Sequence, residues 1–287
     1  MSSLASPSDG GPAARPPRAQ RSFTRTLRTL PTLLRVGVAE TVAYRAEFLV
    51  WVLTTTLPLV MLGLWTSVAD EAPFREYTSA DFVAYYLSVL IVRNVTGSWV
   101  AWQISEEIRT GVMAMRLLRP VHPFIVFTAS HLAAVPFRTV VSMPITVILL
   151  LSSGASALAT EPMQLAMIVP SLALAWLVTF NVMFAIGAVG FFATKTMALL
   201  NMYFGLYSLF AGYLLPIDLL PRWLSELAEV SPFRAMLSAP VELMTVQLSS
   251  SDVVRLLAGQ LAWAVVTLLA ALWVWNRGVK RFEAVGT

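Results

Sequence analysis

Charge is nearly absent from long tracts of this chain, and that absence limits the fold more than any motif does. Six apolar runs, at residues 46–68, 82–103, 124–153, 163–191, 197–215 and 253–275, each lie near or above the roughly 20 residues that carry a helix across a hydrocarbon layer about 30 Å thick. A segment isolated in lipid must satisfy its backbone hydrogen bonds internally, so every run is predicted to be helical. The fold class that follows is all-α: a polytopic membrane protein with six transmembrane helices. Only 13% of the residues are charged, about half the share usual in soluble domains. The third run is overlong and carries Pro136 and Pro144, which predicts kinks and an interfacial beginning.

Basic residues alternate between successive connections. Arg15, Arg18, Arg21, Arg25, Arg28, Arg35 and Arg45 precede the first run, whereas the loop after it, ADEAPFREYTSAD, has Arg75 alone among acids. Arg109, Arg116 and Arg119 follow the second run, Lys195 the fourth, and Arg277, Lys280 and Arg281 the sixth. By the positive-inside rule both termini are expected in the cytoplasm of a cell-membrane protein. The loop SGASALATEPM and the segment after the fifth run, poor in bases, are expected outside. Residues 1–22, rich in Pro, Gly, Ser, Ala and Arg without an apolar core, read as a disordered cytoplasmic tail and not as a cleaved signal. Residues 23–45 read as an amphipathic interfacial segment or as plain positive flanking. Residues 46–287 make up the six-helix transmembrane domain.

Several chemistries are excluded or weakened. Without cysteine there is no disulfide, thiolate nucleophile or cysteine metal site. Lys195 and Lys280, the only lysines, follow Thr194 and Val279, so the glycine–lysine pair of a phosphate-cradling loop is missing. His122 and His131 lack zinc-site spacing and are expected to be packed or interfacial. The net charge of +4 is accounted for by bases at cytoplasmic span ends, so no nucleic-acid partner is expected and membrane lipid is. No catalytic residue, metal or cofactor is expected in the chain.

The densest charge in the apolar part of the chain is ISEEIRTGVMAMRLLRP, residues 104–120. A charge at a helix centre costs about 2.5–3.5 kcal/mol on insertion scales, so Glu106, Glu107 and Arg109 mark where the second span leaves the bilayer. Ile104, Ile108, Val112, Met115 and Leu118 recur at helical steps as one apolar stripe, with Glu106, Arg109, Thr110, Met113 and Arg116 opposite. Gly111 interrupts the pattern and Pro120 with Pro123 ends it, so a bent amphipathic element is predicted. On residues alone it reads equally as a solvated connecting helix.

The pattern Glu, Glu, Ile, base, small, Gly, then Leu, Leu, Arg, Pro resembles the cytoplasmic turn of ABC-2 type permeases, membrane subunits of ABC transporters. A second stretch agrees: in GYLLPIDLLPRWLSELAEVSPFRAM, residues 212–236, Pro216, Pro221, Trp223 and Pro232 resemble the outer re-entrant segment of that family. The resemblance covers essentially the whole chain. It implies an ABC-2 type permease fold and a coupling helix at residues 104–120, with Glu106, Glu107, Arg109, Gly111, Arg116, Arg119 and Pro120 contacting a cytoplasmic ABC ATPase. It also implies two such ATPase subunits, which bind the ATP and Mg, a second permease subunit, identical or related, and export of a hydrophobic, lipidic or drug-like molecule. A membrane enzyme or assembly factor without an ATPase, or a secondary transporter, are the readings from other classes.

Arg93 and Asn94 fall inside the second run, where a cation is costly and faces protein or water. They read either as part of a substrate pathway or as a structural cation bonded to carbonyls or an acid. Arg138 is expected to snorkel to the cytoplasmic face. Small residues in NVMFAIGAVG, and Gly205, Ser208 and Gly212, are expected at helix contacts.

Overall fold

A computed structural model describes residues 57–193 and 196–285, together with positions 32, 34 and 35. The predicted tail, nearly all of residues 23–45, and residues 46–56 of the first run lie outside the described residues. Among the described residues from Leu57 onward there are eleven α-helices, in order: α1 (Leu57–Glu71), α2 (Ser79–Thr96), α3 (Val100–Arg109), α4 (Val112–Leu117), α5 (Pro123–Ser153), α6 (Pro162–Ala188), α7 (Thr196–Phe210), α8 (Arg222–Val230), α9 (Pro232–Met236), α10 (Ser238–Thr245) and α11 (Ser250–Val285). No strand occurs among the described residues. Among the described residues, three stretches are long and apolar enough to cross a membrane, Pro123–Val140, Pro162–Phe191 and Ser250–Phe282, and Thr196–Phe210 is apolar but shorter.

Local chemistry sets the helix starts. Thr78 and Asp81 form a capping box at α2. Pro123, Pro162 and Pro232 each sit in the first turn of a helix, where the missing N–H costs nothing. His122 accepts from the Phe124 N–H at the start of α5. Pro136 and Pro144 lie inside α5 and Pro170 inside α6, as membrane helices tolerate when neighbours re-satisfy the backbone.

The core is built around α6, the most enclosed of the three long apolar stretches. Trp176 stacks on Phe180 at 5.1 Å, and Phe184 meets Trp275 of α11 at 4.9 Å. Polar groups bond across this apolar contact. The Ser171 hydroxyl donates to Gln260 at 2.8 Å, and Asn181 Nδ2 reaches the Ala264 carbonyl and Thr267 at 3.3 Å each. Such bonds hold helices together where hydrophobic driving force is weak.

The second run is not one helix. It stops at Thr96, breaks over Gly97–Ser98–Trp99 and resumes at Val100. Arg138, expected to snorkel to the cytoplasmic face, instead is 5% exposed and donates to the Gly97 carbonyl. The break strips that carbonyl of its helical partner, and a guanidinium donor satisfies it inside the protein. At the other end of α2, the Tyr85 and Tyr86 hydroxyls donate to the carbonyls of Gly212 and Leu214 at 2.6 and 2.7 Å, fixing the turn after α7.

Candidate functional site

The charged element of residues 104–120 folds as an elbow of two short helices, α3 and α4. Gly111 forms the joint with φ +77°, a left-handed conformation that any side chain would strain. The bend is therefore as the glycine predicts, but the continuous apolar stripe is not. Ile104 is fully buried and Ile108 is partly buried, whereas Val112, Met115 and Leu118 are 51%, 67% and 79% exposed. Met113, expected on the polar side, is fully buried. The left-handed residue resets the helical phase, so the residues that would continue the inner face point away from the core.

The charges divide into an inner and an outer pair. Inside, Arg116 binds Glu107 through two bonds of 2.6 Å, Nε to Oε2 and Nη2 to Oε1, and its guanidinium lies 4.5 Å over the Phe127 ring of α5. This pair joins the two arms across the joint. Outside, Arg109 donates to both oxygens of Glu106, and that hydrogen bond raises its pKa above the ordinary value. Arg119 and Pro120 are exposed beyond α4. Of the acids and bases singled out from sequence, Glu106, Arg109 and Arg119 can meet a partner directly, whereas Glu107 and Arg116 shape the elbow.

The seat beneath the elbow is a close backbone approach. A Cβ at Gly187 of α6 would lie 2.9 Å from Ile104 Cβ and 3.0 Å from Ala101 Cα, so only glycine lets α3 lie this close.

A line of hydrogen bonds connects the elbow with the break in the second run. The Ser98 hydroxyl lies 3.4 Å from His131 Nδ1, His131 Nε2 lies 3.3 Å from Gln103 Oε1, and Gln103 Nε2 donates to Glu107 Oε1 at 3.3 Å. Glu107 only accepts and Gln103 Oε1 only accepts, so the donors run in one sense, from Ser98 through His131 and Gln103 to the carboxylate. Neither Ser98 nor Gln103 stood out in the sequence, because a single polar residue in an apolar run carries no periodic signal.

Next to the break, Arg93 faces Tyr207 and Tyr213, its guanidinium carbon 5.3 and 5.6 Å from their ring centroids. No carboxylate lies within ion-pair distance of Arg93 among the described residues. Aromatic faces supply the attraction expected from an acid. Asn94 turns back to donate to the Leu90 carbonyl at 2.8 Å. A space of about 10 Å³ borders Arg93, Gly97, Ser98 and Trp99, the room of about one water.

At the far end of the molecule, Pro216, Pro221 and Pro232 each open a helical turn of the segment after α7. Pro216 is buried, Pro221 is exposed, and Trp223 is 65% exposed on α8. The loop before α2 clasps this segment: Arg75 Nη1 donates to the Asp218 carbonyl at 3.0 Å.

A family model described as ABC-2 family transporter protein matches residues 47–286. No curated protein matches the chain.

Proposed function

The chain belongs to the ABC-2 transporter family, a family of membrane transport components, and from that membership we propose how this permease subunit works. It crosses the membrane six times with both termini in the cytoplasm, the broken α2–α3 run counting as one crossing. It pairs with a second permease and exports a hydrophobic, lipidic or drug-like molecule, driven by ATP and Mg bound on two separate ATPase subunits. The observation that carries the reading is the elbow. Its inner face is fixed by the Glu107–Arg116 pair, while its exposed residues are the apolar Val112, Met115 and Leu118 and the charged Glu106, Arg109 and Arg119. Apolar groups accompanied by charge are what a cleft on a soluble partner recognises: the apolar part gives affinity and the charges give register. Glu106, Arg109, Met115 and Leu118 are the proposed ATPase contacts, with Gly111 setting the angle at which they are shown.

The test is stimulation of ATP hydrolysis in a reconstituted complex. Glu106→Lys combined with Met115→Glu leaves membrane insertion intact and lowers permease-stimulated hydrolysis about a hundredfold, as loss of a central anchor plus a reversed charge does. Unchanged stimulation would remove the elbow from the interface. Arg93 is proposed to border the export path at the level of the break, and full transport by Arg93→Gln in the same vesicles would withdraw it from that path.

A further inference from the structure

A cavity of about 410 Å³ lies between the α8–α10 unit and the first turns of α11, at the end of α6 away from the elbow. That volume is within the range of small-molecule sites. Its inner wall is already satisfied. Arg234 is bonded to both oxygens of Glu242, Ser238 donates to the same carboxylate, and Gln260, 1% exposed, donates to the carbonyls of Ser171 and Ala235. The rim is not. The Arg255 side chain is 81% exposed and, among the described residues, makes one polar contact, 3.2 Å to Asp252, so most of its donors are unused. Glu229 is exposed and makes no hydrogen bond or ion pair among the described residues. One mouth therefore presents an available cation and an available anion, which suits a ligand carrying both signs.

The surroundings fix what kind of ligand that is. Asp252, Arg255 and Trp263 line the cavity in sequence along α11, from charge to indole over about 17 Å at 1.5 Å per residue. Beyond, on the same face of α11 as Arg255 at 11, 14 and 18 residues along, lie the exposed apolar residues Val266, Leu269 and Trp273. Charge, then indole, then aliphatic surface is the order in which a membrane passes from headgroup to chain. Beside the mouth, α8 leaves Trp223, Leu227 and Val230 65%, 54% and 71% exposed. Their spacing of four and three residues puts them on one face, as in a helix lying in the plane of the interface.

We propose that this cavity holds the headgroup of a zwitterionic phospholipid, its phosphate at Arg255 and its ammonium at Glu229, with the acyl chains running along the apolar face of α11. The lipid fills the gap between α11 and the α8–α10 unit and ties the two together.

Native mass spectrometry of the purified chain, loaded from vesicles of phosphatidylethanolamine or of phosphatidylglycerol and then stripped with detergent, tests this. The expected result is one phosphatidylethanolamine retained in preference to phosphatidylglycerol, with Glu229→Gln and Arg255→Gln each reducing retention about fivefold, the size of one charge-assisted contact at a half-exposed site. Both side chains are solvent-facing, and unchanged melting temperatures show that the variants fold. Equal retention of the two lipids, undiminished retention in both variants, or a second protein chain covering the mouth in place of lipid would overturn the assignment. So would free phosphoethanolamine binding as tightly as the lipid, because the site would then belong to a soluble zwitterion.

Discussion

Glu107 and Arg116 are nine positions apart in sequence, too far for a pair within one helical turn, yet they share two bonds of 2.6 Å because Gly111 folds α4 back along α3. With side chains only 12% and 18% exposed, neither can lose its partner cheaply. Removing one member of a buried pair costs about 3–5 kcal/mol, since the other charge is left desolvated. Glu107→Gln or Arg116→Met is therefore expected to lower thermal stability by about that amount, whereas Glu106→Gln, on the water side, leaves the melting temperature within error. Equal effects of Glu106→Gln and Glu107→Gln on melting would contradict the division into an inner and an outer pair. The roles of these adjacent acids differ by the face each occupies, and adjacency in sequence conceals it.

At the level of elements, the hydrogen-bond line from Ser98 to Glu107 joins the break in the second run to the elbow through residues on α3 and α5. Gln103→Leu and His131→Leu interrupt it without touching the elbow's outer face. They are expected to leave assembly with the ATPase intact, measured by co-purification, and to reduce substrate-stimulated ATP hydrolysis about tenfold, within the range of coupling energies. Stimulation equal to wild type would make the line merely structural. The elbow itself was legible: a glycine amid helical periodicity, bounded by prolines, announces a bend. The break at Gly97 was not, because hydropathy averages over Gly97–Trp99 and the flanking apolar residues conceal three residues of loop. The inward course of Arg138 followed from that same break, since the orphaned Gly97 carbonyl exists only once the helix has parted. The reversal of Val112, Met115 and Leu118 was hidden for a related reason. Periodicity assumes one helical phase, and a left-handed joint supplies two.

For the whole molecule, the described helices leave much apolar surface to be covered by lipid or by another subunit. The outer face of α7 combines exposed Met202, Leu206 and Leu209 with Gly205, beside which there is open space, a combination that α1 repeats at Gly63. Glycine on a lipid-facing helix lets a neighbouring backbone come close, so α7 is the expected seat of the second permease. The chain contains no cysteine, which makes Gly205→Cys the sole thiol for a photo-crosslinker. Adducts with a permease subunit, identical or related, are expected by mass spectrometry, and adducts with lipid alone would exclude α7 from the interface. The 27 residues of α6 make a rod about 40 Å long, gripped near one end by Gln164 and Ser171 and near the other by Gly187. Pivoting about its aromatic middle by about 5° carries the ends about 2 Å in opposite directions. A push on the elbow that turned this rod would therefore swing the distant mouth the other way, unless Pro170 yielded and absorbed the stroke.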